Sequence, residues 1–164
     1  MIAAIGQDSH RFDFANPHKK LWLGGLEIPD APPLLGNSDA DVVLHALTNA
    51  VSGLTGVNIL GAVSDELCLN QGISDSRVYL REALQHLGEL RLLHASLSIE
   101  CKTPKLSPHI PAMKVEIAGL LGLNVTQIGI TATSGEGLTD FGRGEGIQVL
   151  AILSAARPGF KSDN

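Results

Sequence analysis

Apolar positions along the chain switch between a two-residue and a three-to-four-residue period, and the switches mark out its elements. Residues 1–10, MIAAIGQDSH, predict a first strand that runs into polar residues. Residues 21–28, LWLGGLEI, predict a second strand. The prolines, glycine and small polar residues of APPLLGNSD predict a loop. A helix is expected from Ser38, which with Asp41 three residues on matches a capping box with Asp in place of Glu. Its apolar stripe is Val43, Leu44, Leu47, Ala50, Val51 and Leu54, and Gly56 ends it. Asp41, His45, Thr48, Asn49 and Ser52 fall on its other face.

A loop of about fifteen residues follows, and loops that long inside a compact domain are often functional. A second helix is expected from near Ser74 to Gly88, burying Leu80, Ala83, Leu84 and Leu87. Residues 92–102 alternate like a strand. A third helix is expected to begin between Ser107 and Pro111 and to end at Gly122, since prolines suit the start of a helix and not its middle. VTQIGITATS predicts a strand, SGEGLTDFGRGEG a glycine-rich connection, and the continuous apolar run 147–156 a buried strand. The expected fold class is α/β (α+β): one domain over residues 1–158, with a mixed four- to five-stranded sheet and helices mainly on one face. Residues 159–164 are expected to form a loose tail.

Composition narrows the possible partners. Of the 164 residues 44% are hydrophobic and 18% charged, which is enough apolar material to build a core. Aromatics are only 4%, so that core must rest on Leu, Ile, Val and Ala. A formal net charge of -5 argues against nucleic acid or a membrane surface as partner. It leaves room for an anionic small ligand, because a bound metal and a few cations reverse the local field. Cys68 and Cys101 lack metal-type spacing and make no disulfide framework, so a reducing compartment is expected. No leader-like start and no apolar run of about 20 residues is visible. The expected location is the cytoplasm, or a plastid-type stroma if a transit peptide has been removed.

Several residues could carry chemistry. Asp8 and His10 share one face of the first strand, with Cα atoms about 6.5–7 Å apart, so a carboxylate oxygen and an imidazole nitrogen can converge on one ion such as Zn²⁺. The bland alternative is a hydrogen-bonded pair at a strand end. His45, on the polar stripe of its helix, is the candidate third ligand; the alternative is a solvent-exposed histidine held by Asp41. Three protein ligands leave a position open for water or substrate, the catalytic pattern. Asn37 and Ser38 precede the helix, where N–H groups attract anions, and ordinary capping by Ser38 competes with that reading. Lys105 lies in a proline-rich turn that suits phosphate recognition or is simply solvated. In TATSGEGLTDFGRGEG, Thr133 and Ser134 can donate to phosphate oxygens and Arg143 can bind a phosphate bidentately. It is not a Walker loop, and a plain glycine-rich connection is the alternative.

In their order, GQDSHRF (6–12), LGG (23–25), NSDADVVLHALTNA (37–50), DS (75–76), TPKLSPHIPAMK (103–114) and TATSGEG…GRGEGI (131–147) resemble the 2-C-methyl-D-erythritol 2,4-cyclodiphosphate synthase family. The resemblance spans nearly the whole chain. It implies a homotrimer with active sites at subunit junctions. It implies Zn²⁺ on Asp8, His10 and His45 and a second divalent ion, Mg²⁺ or Mn²⁺, bridging phosphates. The implied substrate is a small diphosphate, 4-diphosphocytidyl-2-C-methyl-D-erythritol 2-phosphate, cyclised with release of CMP. Asn37 and Ser134 match catalytic positions. Ser38, Asn58, Lys105, Leu106, Thr133, Glu136 and Arg143 match substrate-binding positions, and Arg143 and Glu145 also match residues that line the trimer axis.

The chain departs from the family pattern in places. Asn37-Ser38 replaces His-Ser, Asn49 replaces an Asp, and Asn58-Ile59-Leu60 replaces Asp-Ile-Gly. VSDEL at 63–67 replaces FPDTD, a lysine beyond that loop has no counterpart, and Asp140 takes the place of an aromatic residue next to Phe141. Two other readings stay open at this point: a non-catalytic homologue that binds metal with a nucleotide or prenyl diphosphate, and a Zn-dependent phosphoesterase.

Overall fold

The computed structural model describes residues 1–61 and 72–159. The VSDEL segment at 63–67 and the expected tail, apart from Gly159, lie outside those residues. Along the chain run β1 (Ile2–Arg11), β2 (Leu21–Leu23), β3 (Leu26–Ile28), α1 (Val42–Thr55), α2 (Ser76–Gln85), β4 (Arg91–Glu100), α3 (Ile110–Leu121), β5 (Ile128–Thr133), the short α4 (Asp140–Arg143) and β6 (Gly146–Ala156). The main sheet has the order β1-β6-β4-β5. β6 is antiparallel to both its neighbours, and β4 and β5 form a parallel pair. The expected mixed sheet is therefore four-stranded.

The strand expected over 21–28 is instead a hairpin, with β2 and β3 forming a ribbon of their own. Gly24 and Gly25 take φ of 62° and 79°, the pair of positive angles that a two-residue turn needs. A continuous apolar pattern concealed the reversal because both arms bury apolar side chains, Leu21 and Leu23 on one and Ile28 on the other. The first helix also starts later than expected. Ser38 Oγ accepts from the nearby Ala40 N–H at 3.1 Å, and the true N-cap is Asp41, which takes the N–H groups of Val43 and Leu44. The same carboxylate accepts from Gly24 at 2.8 Å and Gly25 at 2.6 Å, so the hairpin turn is moored to the helix start. That buried carboxylate takes the first N–H groups of the helix, so capping there is done by Asp41 and not by Ser38.

α1 lies across β1 and β6 and is buried nearly all round. Leu44, Leu47, Val51, Val149 and Leu153 are among the residues that fill the layer between helix and sheet. Gly6 allows the close approach: a Cβ there would stand 2.1 Å from the Ala46 carbonyl oxygen and 2.3 Å from the Ala50 nitrogen. α2 and α3 complete the helical layer. Among the described residues no helix packs on the opposite face of the sheet. Ile5 pairs with Ile152 and Gln7 with Leu150, and Ile5, Leu150 and Ile152 are exposed on it.

Candidate metal centre

β1 and α1 together build the centre. Asp8 and His10 point from alternate positions of β1 to the helix side, as the two-residue period requires. His45 sits one turn into α1 and meets them from above. His10 Nε2 and His45 Nδ1 each lie 3.0 Å from Asp8 Oδ2 and 3.4 Å from one another. Tetrahedral ligation at about 2.1 Å separates ligand atoms by about 3.4 Å, so this triangle has the size a small divalent ion requires. Two imidazoles and a carboxylate suit zinc or a similar borderline cation. These three form the cluster of possible metal ligands among the described residues.

Electrostatics agree with the geometry. Burial opposes ionisation of Asp8, but hydrogen bonds and positive charge from His10 and His45 outweigh it and bring its pKa down to about 2. Burial also disfavours the charged form of His10, but Asp8 beside it prevails and raises its pKa above the ordinary 6.5. The other ring nitrogens are held from behind. His10 Nδ1 donates to the Leu35 carbonyl at 2.8 Å, so Nε2 is the nitrogen that can give a lone pair to a cation. Lys19 Nζ ties the same loop by donating to Leu34 O at 2.9 Å and Gly36 O at 3.0 Å.

His45 is only 8% exposed, which excludes the alternative of a solvent-exposed histidine. The polar stripe faces inward because it meets β1 and α2 and not solvent. Asp41 does not hold the ring. Instead Nε2 meets Ser76 Oγ at 2.9 Å, and the Tyr79 ring stands 6.1 Å away between centroids. Sequence reasoning missed Ser76 and Asp39 as neighbours of His45. Their signal was a Ser beside an Asp cap at a helix start, which reads equally well as capping alone.

The remaining predicted residues fall in two groups. Asn37 lies exposed in the loop after Leu35, Ser38 is half-buried next to it, and Asn58 is exposed just beyond α1. Asn49 departs from the family pattern and is put to use: its side-chain amide donates to the Gln7 carbonyl at 2.9 Å, next to Asp8. The second group gathers where β4 and β5 end. Glu100 is in register with Thr133, and the Cys101 N–H donates to the Thr133 carbonyl at 3.1 Å. The turns carrying Lys105, Leu106, Ser134 and Glu136 leave those two strand ends. Ligands commonly bind outside the carboxyl ends of parallel strands. Thr133, Ser134, Lys105 and Glu136 are exposed there and Leu106 is buried. Arg143 is exposed, and its guanidinium meets Asp140 and the Gly137 carbonyl.

Within one chain the two groups stay apart. β1 and β5 are opposite edges of the sheet, three strand spacings or about 14 Å from each other.

The fold and the triangle define a small α+β protein with a possible three-residue metal site set between a strand end and a helix. The family model for the YgbB family matches residues 1–156, and the chain belongs to that family. It is 46% identical to the 2-C-methyl-D-erythritol 2,4-cyclodiphosphate synthase of Chlamydia abortus, over 92% of this chain and 86% of that one. It is 47% identical to the synthase of the same name from Chlamydia muridarum, over 92% and 85%. A solved structure of a 2C-methyl-D-erythritol-2,4-cyclodiphosphate synthase in a CDP-bound form superposes with a TM-score of 0.83, at 32% identity, covering 94% of this chain and all of that one.

Proposed function

We propose that the chain is a phosphorus–oxygen lyase that cyclises 4-diphosphocytidyl-2-C-methyl-D-erythritol 2-phosphate to 2-C-methyl-D-erythritol 2,4-cyclodiphosphate and releases CMP, a step of the non-mevalonate isoprenoid precursor pathway. The observation that carries the reading is the Asp8–His10–His45 triangle, in a chain so similar to synthases of that name. Asp8, His10 and His45 would hold Zn²⁺, which would supply a Lewis acid for the phosphoryl transfer. Mg²⁺ or Mn²⁺ would be the second ion and would add positive charge against the phosphates.

The substrate carries its own nucleophile. An oxygen of its 2-phosphate forms a bond to the β-phosphorus, the bond from that phosphorus to the oxygen shared with the α-phosphate breaks, and CMP leaves with that oxygen. No water and no protein nucleophile enters, so the protein's task is alignment and charge neutralisation. Asn37, Ser38 and Ser134 donate to phosphate oxygens. Asn58 meets the erythritol end. Thr133, Lys105, Leu106 and Glu136 cradle the cytidine monophosphate, and Arg143 adds positive charge.

A homotrimer reconciles this with the sheet order. The metal residues and the nucleotide turns lie at opposite edges of one chain, so a substrate touching both needs the nucleotide turns of a neighbour. The sheet face with Ile5, Leu150 and Ile152 exposed supports burial between copies. Sedimentation equilibrium should give three times the chain mass; a monomer that turns over at full rate refutes the shared site. No helix among the described residues is long and apolar enough to cross a membrane, and we place the protein in the cytoplasm.

The decisive assay is incubation of the protein with the substrate, Zn²⁺ and Mg²⁺, followed by phosphorus NMR. Equal amounts of CMP and cyclic diphosphate are expected. A linear product would select the water-using phosphoesterase, and binding without CMP release would select a non-catalytic homologue.

A further inference from the structure

We propose that Asp39 and Ser76 are positioning residues that set the ring orientation and tautomer of His45 for ion binding. This rests on reading Asp8, His10 and His45 as a metal centre. Ser76 is fully buried at the start of α2, so its hydroxyl is not available to a substrate. Its oxygen lies 2.9 Å from His45 Nε2 and is also hydrogen-bonded to Asp39 Oδ1. A carboxylate only accepts, so the single hydroxyl proton of Ser76 is committed to Asp39. Ser76 Oγ must then accept from His45, which places the ring proton on Nε2. In the neutral ring Nδ1 is then the nitrogen that can give its lone pair to a cation, and it is the atom that faces the centre, 3.0 Å from Asp8 Oδ2.

Asp39 is itself fixed from two sides. Its Oδ2 accepts from the Ser76 N–H at 3.0 Å and its Oδ1 from the Asp41 N–H at 3.1 Å. Its own N–H donates to the Ser74 carbonyl at 2.8 Å. The pair thus joins the loop before α1 to the start of α2, with the imidazole at the joint. His10 obtains the equivalent orientation from the Leu35 carbonyl, so both imidazoles of the centre are aimed by a partner on the far nitrogen.

The test compares the full chain with Ser76→Ala, Asp39→Asn and the double variant. Zinc affinity is read by competition with a chromophoric chelator at fixed pH, and ligand geometry by the visible spectrum of the cobalt(II)-loaded protein. Each single change should weaken zinc binding about 10- to 100-fold and alter the cobalt bands. Because both residues act through one ring, the double variant should bind within a few-fold of the weaker single. Far-UV circular dichroism checks folding; if Ser76→Ala does not fold, Asp39→Asn carries the comparison. A folded variant with wild-type zinc affinity and cobalt bands overturns the proposal, as do penalties that multiply in the double. A wild-type chain that takes up no zinc overturns it together with the metal centre. Zinc binding with no CMP release removes the cyclisation reading alone and leaves the positioning pair standing.

Discussion

Replacing Gly6 with alanine probes how tightly the fold and the metal centre are coupled. The added methyl would lie 2.1 Å from the Ala46 carbonyl oxygen and 2.3 Å from the Ala50 nitrogen, both backbone atoms that no rotamer change can clear. Reaching an ordinary contact of 3.4 Å requires α1 to retreat from β1 by about 1.3 Å. Overpacking of this kind costs about 3 kcal/mol. With a urea dependence of about 2 kcal/mol per molar, the unfolding midpoint should fall by about 1.5 M at fixed protein concentration. The helix carries His45 with it, next to Ala46, so the 3.0 Å spacing to Asp8 opens and zinc affinity should drop at least tenfold. Urea unfolding followed by circular dichroism and a chelator competition read the two effects. An unchanged midpoint together with unchanged zinc affinity would refute the claim that glycine sets the depth of the helix.

Four further outcomes are expected. His45→Ala should abolish stoichiometric zinc while helical dichroism persists, since two ligands remain of three; metal analysis by mass spectrometry decides it. Asn37→His should keep or raise turnover, measured as CMP release, and a collapse with normal folding would remove Asn37 from the phosphate site. Asn49→Asp restores the family residue but sets a carboxylate against the Gln7 carbonyl, and should cost about 1–2 kcal/mol in thermal or urea unfolding. In the metal-free protein Asp8 has a pKa of about 2 against an ordinary 3.8, so its contribution is complete above pH 4 and vanishes as pH falls through 2. That contribution is about 2 kcal/mol. Asp8→Asn should flatten this part of the stability–pH curve, and an identical slope in both proteins would disprove the assignment.

Most of the strand-and-helix order was legible because the apolar period changes from one long element to the next. Asp8 and His10 could be placed on one face from strand geometry alone, and the structure keeps them there. The hairpin at Gly24–Gly25 was not legible as a turn, since its apolar arms hide the reversal. Ser38 imitated an N-cap because a serine three residues before an acid fits the local pattern; only tertiary contact shows that Asp41 serves both the helix and the hairpin. His45 posed the opposite problem. Helical periodicity puts it on the polar stripe, but periodicity cannot tell a wet stripe from one that meets a second polar surface. The partners of His45 come from a segment 31 residues away, a distance that no local signal bridges. The resemblance to synthases supplied what spacing could not, the expectation that these three side chains work together with the turns at the ends of β4 and β5.

One oxygen of Asp8 faces two ring nitrogens at equal distance, and without an ion such contacts are held by N–H hydrogen bonds to the carboxylate. A nitrogen that donates in this way must give up or move its proton before it can ligate, so metal uptake is an exchange and not a simple addition. The measured heat of zinc binding will accordingly change with the ionisation enthalpy of the buffer chosen, by an amount that counts the hydrogen ions expelled.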